Sequence, residues 1–141
     1  MVVARIGVVI AAEGMLAGVL PLFRWRVGRF LGSPDTPIPW VDGRDLTRLL
    51  VHVAETDGSG SFNLVGPSSP RFGEFADAVQ AVIGCRSWFG LPTSVVRAVL
   101  GRDAAELVLA RYQVRPDRVL ASGFVFEHTD LHRSIRHALG S

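Results

Sequence analysis

The chain has 141 residues, enough for one domain with a sizeable core. Apolar residues make up 48% of it and charged residues 20%, which excludes an intrinsically disordered protein. The net charge is only +2, and the basic residues are scattered arginines apart from Arg24, Arg26 and Arg29, so we expect no nucleic-acid partner. The single cysteine, Cys85, excludes an intrachain disulfide and a cysteine metal site.

Residues 5–23 (RIGVVIAAEGMLAGVLPLF) are almost entirely apolar. Arg5 and Glu13 lie inside this run and Pro21 interrupts it, features that are unfavourable for a membrane-spanning helix and for the core of a secretion signal. We therefore predict no membrane segment and a cytoplasmic protein.

The spacing of apolar residues changes within this region, at about residue 13. The stretch VVARIGVVIAA, residues 2–12, is rich in β-branched residues and is typical of a strand buried on both faces of a parallel sheet. The following residues 13–30 place apolar side chains at helical spacing. The pattern predicts a central parallel strand that leads into a helix.

The rest of the chain alternates between helical and extended patterns. A proline-rich loop at residues 31–40 precedes a helix over 44–58, capped by Asp42 or Gly43. The later elements are predicted as a strand at 60–68, a helix at 70–84, a short strand within 87–92, helices at 93–101, 102–113 and 115–123, a strand-like run at 124–128 and a last helix at 129–140. Thr129 is the expected N-cap of that last helix.

The sequence carries few catalytic signatures. It contains no G-x-G-x-x-G turn, no P-loop and no G-x-S-x-G. The Tyr-x-x-x-Lys pair of many dehydrogenases is missing as well, because Tyr112 is the only tyrosine and there is no lysine. His128 and His132 are four residues apart, but they are expected to belong to an exposed helix and its cap. We predict no catalytic, cofactor-binding or metal-binding residue.

Two places can still contact a ligand. Trp40 follows the proline-rich loop, where its ring can stack on a ligand or cover an edge of the core. Arg5 interrupts an apolar strand; a buried arginine needs a carboxylate or carbonyl partner, so it is either a structural contact or a ligand contact.

The segments RIGVVI, FNLVGPS and VRPDRVLASGFVFEH follow one another in an order that resembles the carboxyl-terminal half of an atypical extended short-chain dehydrogenase/reductase family, labelled NAD-dependent epimerase/dehydratase-like or cell-division-inhibitor-like. The resemblance implies an α/β fold: the last strands of a Rossmann-type parallel sheet with a helix-rich carboxyl-terminal substrate lobe. Residues 1–69 would end the Rossmann-like domain, and 70–141 would form a small domain of unknown function. NAD(P) would be the cofactor only with the missing half, and the isolated chain would bind none.

The chain departs from the family pattern around Trp40. Where the family usually reads Trp-Ile-His-Ile-Asp-Asp-Leu, this chain reads WVDGRDL, with Asp42 at the histidine position and Arg44 at the first aspartate position. Of the usual glycine-rich turn after the first strand, Gly14 is kept. Because the family loop faces the cofactor and substrate cleft, the candidate substrate-binding residues are Arg5, Gly14, Trp40, Asp42 and Arg44.

Two functional hypotheses remain open at this point. In the first, the chain is the substrate-side half of an epimerase-like reductase and is inert alone. In the second, it is a binding module whose exposed sheet edge recruits a second copy, as a homodimer, or a complementing chain.

Overall fold

The computed structural model describes residues 1–13, 20–21, 23–26, 35–56, 59–84, 93–102 and 114–140. In chain order its strands and helices are β1 (Val2–Ile6), β2 (Val8–Ile10), β3 (Trp40–Asp42), α1 (Gly43–Glu55), β4 (Gly60–Leu64), α2 (Phe72–Ile83), α3 (Thr93–Leu100), α4 (Asp117–Ala121) and α5 (Leu131–Ala138). None of these helices is both long enough and apolar enough to cross a membrane.

The strands of the described residues pair in parallel. β1 pairs with β4 in the register Val2↔Gly60 to Ile6↔Leu64, and β2 pairs with β3 from Val8↔Trp40 to Ile10↔Asp42. Parallel neighbours need a long connection between them, and α1 lies within the connection from β1 to β4. The predicted α/β class with a partial parallel sheet is therefore confirmed.

Gly7 divides the predicted first strand into β1 and β2. Its N–H donates to the carbonyl of Leu64 at 3.4 Å, whereas the next N–H, that of Val8, donates to the carbonyl of Pro39 at 2.8 Å. The chain thus changes its pairing partner at this residue. A Cβ on Gly7 would lie 2.6 Å from the oxygen of Pro39 and 2.7 Å from Cγ1 of Val65, so only glycine fits this close approach.

Two hydrophobic clusters cover the opposite faces of β3, because consecutive residues of a strand point to opposite sides. Trp40 belongs to the first cluster and Val41 to the second. The other buried members of the first cluster are Ile10, Phe23, Ile38, Phe72, Phe75, Ala76, Ala78, Val79 and Ile135. Those of the second are Leu49, Val53, Phe62, Leu64, Val119 and Phe124.

β1 differs from the prediction of a strand buried on both faces. Every one of its residues is exposed, with exposed fractions of 40% for Val2, 39% for Val3 and 50% for Ile6. A strand is buried only when neighbouring strands and helices surround it, and within the described part of the chain β1 pairs with β4 alone. Arg5 is consequently solvent-exposed, and the expectation of a buried arginine was wrong.

Two local predictions in the carboxyl-terminal region were also wrong. Residues 124–128 form no strand, because side-chain contacts rather than a strand ladder hold them in place. The N-cap of α5 is Asp130, whose carboxylate accepts from the N–H of Arg133 at 3.1 Å, and not Thr129. Three predicted elements lie mostly or wholly outside the described residues. They are the helix over 13–30, the strand within 87–92 and the helix over 102–113.

We expect Gly7→Ala to lower the free energy of unfolding by about 1–3 kcal/mol, because the new methyl group would meet backbone and side-chain atoms that must move. Gly43→Ala is the matched control: its Cβ would meet Ala11 Cβ at 3.2 Å, in a helix that favours alanine. Urea denaturation measures both. Equal losses in the two variants would contradict the close packing assigned to Gly7.

Candidate functional site

In open α/β sheets, ligands bind at the carboxyl ends of parallel strands. Here β2 ends at Ile10, directly opposite Asp42 at the end of β3, and α1 begins at the next residue, Gly43. The carboxylate of Asp42 caps α1 by accepting the N–H of Arg44 at 2.9 Å. The polar side chains at this edge of the sheet are therefore placed by one short turn between a strand and a helix.

Asp42 and Arg44 form a paired unit. The Asp42 carboxylate is buried and accepts from the Arg44 guanidinium twice, from Nε at 2.9 Å and from Nη2 at 2.8 Å. Burial by itself would raise the pKa of Asp42, but the hydrogen bonds and charge of Arg44 outweigh it and lower the pKa to about 2. The Arg44 side chain remains 38% exposed, and within the described residues its Nη1 has no partner. Nη1 can thus donate to a polar group at the strand ends.

Asp45, one residue further along α1, is a hydrogen-bond hub. Its side chain is fully buried. Oδ2 accepts the N–H groups of His128 at 2.9 Å and Glu127 at 3.2 Å, and Oδ1 is 3.0 Å from both His128 Nδ1 and Arg48 Nη1. Burial opposes ionisation, but these donors, led by the His128 ring, hold the pKa of Asp45 below its usual value.

The Asp45 hub also borders an open groove. Arg48 pairs with Glu127 at 3.1 Å, and its guanidinium lies 5.0 Å from the centroid of the Phe124 ring. The groove has a volume of about 370 Å³ and is lined by Arg48, Val51, His52, Glu55, Gly123, Phe124 and Val125. Since Arg48 already has two carboxylate partners, its charge is largely neutralised within the protein.

A serine and a histidine meet beside this groove. His52 Nε2 lies 2.9 Å from Ser122 Oγ, a distance that suits a nucleophile and its base. The Ser122 hydroxyl, however, donates to the carbonyl of Val119 at 2.6 Å, so His52 must be the donor to Ser122. In this arrangement His52 cannot take the serine proton, and the pair is structural.

The structure brings together only part of the predicted substrate-binding set. Asp42 and Arg44 lie side by side at the strand ends, whereas Trp40 is 1% exposed and packs within the first cluster. Arg5 lies in β1 and pairs in register with Asn63, whereas Asp42 lies opposite Ile10 at the end of β2. Gly14 lies outside the described residues. Contact of these residues with a substrate stays a prediction.

The Asp45–His128 contact is the part of the site that sequence reasoning missed. The two residues are 83 positions apart, and neither has a local pattern that reveals the other. A buried aspartate on the inner face of an amphipathic helix was the available signal, since such a charge needs partners.

Comparison with known proteins identifies a matching domain and several relatives of the chain. Residues 91–138 match the domain of unknown function DUF1731. The chain is 36% identical, over 96% of its length, to the human epimerase family protein SDR39U1, and 32% identical, over 97%, to an epimerase family protein of Mycobacterium leprae. It covers 47% and 45% of these relatives, so it spans about half of their length.

Solved structures agree with this match. The crystal structure of human SDR39U1 with NADPH superposes with a TM-score of 0.87 at 35% identity, covering 99% of this chain and 48% of that chain. A nucleoside-diphosphate sugar epimerase from Corynebacterium glutamicum shares the fold alone, at 24% identity and a TM-score of 0.71 over 99% of this chain and 26% of that chain. The chain is thus a counterpart of the carboxyl-terminal portion of epimerase-family short-chain dehydrogenase/reductases, with their Rossmann-type fold, and the resemblance is confirmed.

We expect Asp45→Asn to lower the free energy of unfolding by about 2–4 kcal/mol, because a neutral amide cannot satisfy donors that converge on a buried carboxylate. The control Asp130→Asn keeps an N-cap residue of equal quality and should stay within about 0.5 kcal/mol of the wild type. Urea denaturation gives both values. Hydrogen exchange should also show faster exchange in residues 126–138 of Asp45→Asn only.

Stability should rise with pH across the acidic range. In the folded protein the pKa values of Asp42 and Asp45 lie below 3.8, the value that applies to the unfolded chain. At a pH between the folded and the unfolded pKa of each residue, the unfolded state therefore binds more protons than the folded state. The stabilisation is present above pH 3.8 and, for Asp42, is lost as the pH falls towards about 2. Urea denaturation at successive pH values measures this slope. Asp45→Asn should make it shallower, and an unchanged slope would contradict the assignment.

Proposed function

We propose that this chain supplies the substrate-side lobe of an NAD(P)-dependent enzyme of the epimerase or reductase type, and that it is inactive without a dinucleotide-binding lobe. The observation that carries the proposal is the match of almost the whole chain to about half of an epimerase family protein whose crystal structure contains NADPH.

The described residues do not fit a dinucleotide on their own. A Rossmann-type protein binds the pyrophosphate at the amino terminus of a helix that follows a strand, after a glycine-rich turn. Among the described residues, the start of α1 is such a position, but the Asp42 carboxylate fills it and Arg44 neutralises its charge, so it offers a phosphate little attraction. This supports the proposal that another polypeptide segment holds the nicotinamide cofactor.

The exposed edge of β1 is where such a segment would attach. Gly60 N–H donates to the Met1 carbonyl and Gly7 N–H to the Leu64 carbonyl, so the backbone groups of the odd-numbered residues of β1 face β4. The N–H and C=O groups of Val2, Ala4 and Ile6 then face the other edge. With apolar side chains exposed on both faces, this edge fits a further parallel strand covered by its own helices.

In this arrangement the chain's own polar contribution to substrate binding is Arg44. The Asp42 carboxylate fixes the guanidinium through Nε and Nη2 and leaves Nη1 to donate a hydrogen bond at the strand ends. Arg44 would orient a polar group of the substrate, and proton or hydride transfer would depend on groups from the other lobe.

The test is NADPH binding, measured by calorimetry, for the chain alone and for a chimera in which the portion of human SDR39U1 that this chain does not cover precedes Met1. We expect no binding by the chain alone and binding by the chimera. Hydrogen exchange should show the N–H groups of Ala4 and Ile6 protected only in the chimera. Tight NADPH binding by the chain alone would contradict the proposal.

Ala4→Pro is the matched variant in the chimera. It removes an N–H that faces the outer edge of β1 and leaves the ladder to β4 intact. It should weaken the attachment of the two lobes, whereas Val3→Pro should destabilise β1 itself, because the N–H of Val3 faces β4.

The exposed β1 edge also favours a second candidate, a dimerisation module in which two copies pair along β1. Light scattering of the chain alone at several concentrations separates the two functions. A concentration-dependent dimer favours the module, and a stable monomer excludes it.

A further inference from the structure

The outer edge of β4 differs from that of β1 in having a side chain bound along it. Gly60 and Leu64 direct their backbone groups to β1, so the carbonyls of Ser59 and Ser61 face away from the ladder. Both carbonyls accept from Arg118 at the start of α4: Nη1 donates to Ser61 at 2.8 Å and Nη2 donates to Ser59 at 3.0 Å. Arg118 thus bonds to the groups through which another strand would pair.

Arg118 is held in this position by two further contacts. Its guanidinium lies 4.3 Å from the centroid of the Phe62 ring, within the range of a cation–π interaction. Beside it, the Asn63 side-chain amide donates to the backbone carbonyl of Arg115 at 3.1 Å. The VRPDR segment, residues 114–118, is therefore attached along the edge of β4 at several points.

An open strand edge pairs readily with another chain, and proteins protect such edges with charged side chains or covering segments. We propose that Arg118 closes the outer edge of β4, so that the β1–β4 pair accepts another strand along β1 and not along β4. A protein with one open edge forms a closed pair with a single partner, whereas two open edges permit open-ended assembly. The inference does not depend on the proposed function, because it concerns whichever partner β1 takes.

The test uses Arg118→Met, which keeps a long stem over the Phe62 ring and removes the donors to Ser59 and Ser61. It is combined with Ala4→Pro, which blocks the β1 edge. We expect Ala4→Pro alone to be a monomer of 15.3 kDa in light scattering, and the double variant to show an apparent mass about twofold higher at high concentration. If the unmodified chain pairs along β1, Arg118→Met with an open β1 edge should form species larger than a dimer.

Two controls keep this result specific. Arg115→Met makes the same charge change three residues away. Because Arg115 contacts β4 through its backbone carbonyl, this substitution combined with Ala4→Pro should leave the apparent mass that of the monomer. Adding Ser61→Pro to the double variant removes an outward N–H of β4 and should restore the monomer.

Thermal denaturation must show that each variant is folded, and Arg118→Gln replaces Arg118→Met if the latter gives no cooperative transition. A folded double variant that stays monomeric at every concentration would overturn the proposal. So would a dimer that persists after Ser61→Pro, because it would use another surface.

Discussion

The buried carboxylate of Asp45 is the interaction on which the arrangement of helices around the sheet depends. It accepts the N–H groups of residues 127 and 128 and contacts the His128 ring, so the segment before α5 is fixed to the first turn of α1. Breaking the pairing of a buried carboxylate costs several kcal/mol, and the segment cannot detach without removing the contacts of Asp45 with Glu127 and His128, which leaves it only Arg48 among these partners. Once the segment is fixed, α5 packs on α2 and β2, and Ile135 completes the first hydrophobic cluster.

The β1–β4 pair has two edges of opposite character. On the β4 side the Arg118 guanidinium binds the outward carbonyls, while on the β1 side Val2, Val3 and Ile6 remain exposed and no described strand pairs with the outward backbone groups. Leaving apolar surface in water costs roughly 25 cal/mol per Å², and hiding it is the main driving force for association. Because of this difference, a further chain would pair at the β1 edge rather than at the β4 edge. The relatives share this fold over about half of their length and contain further residues outside it.

The sequence predicted the features that depend on local pattern. The β-branched run indicated an extended segment in a parallel sheet. The apolar spacing predicted a buried face of α1 formed by Leu46, Leu49, Leu50 and Val53, of which Leu49 and Val53 are buried whereas Leu50 is 45% exposed. The burial of β1 could not be predicted, because a strand pattern specifies side-chain chemistry and not the presence of neighbours. The contacts of Asp45 with His128 and of Arg118 with Ser61 join residues 83 and 57 positions apart, and no periodicity encodes such pairs.

The Asp42–Arg44 pair determines what the strand ends offer to a ligand. The amino terminus of a helix normally attracts anions, but here the chain's own carboxylate takes that place and stays ionised because Arg44 binds it. The pair as a whole carries no net charge, so a phosphate approaching this edge gains little attraction. The remaining Nη1 group is a directional donor rather than a centre of positive charge. This edge of the sheet is therefore suited to orienting an uncharged polar group, which agrees with the proposal that the chain contributes to substrate binding and that another lobe binds the anionic dinucleotide.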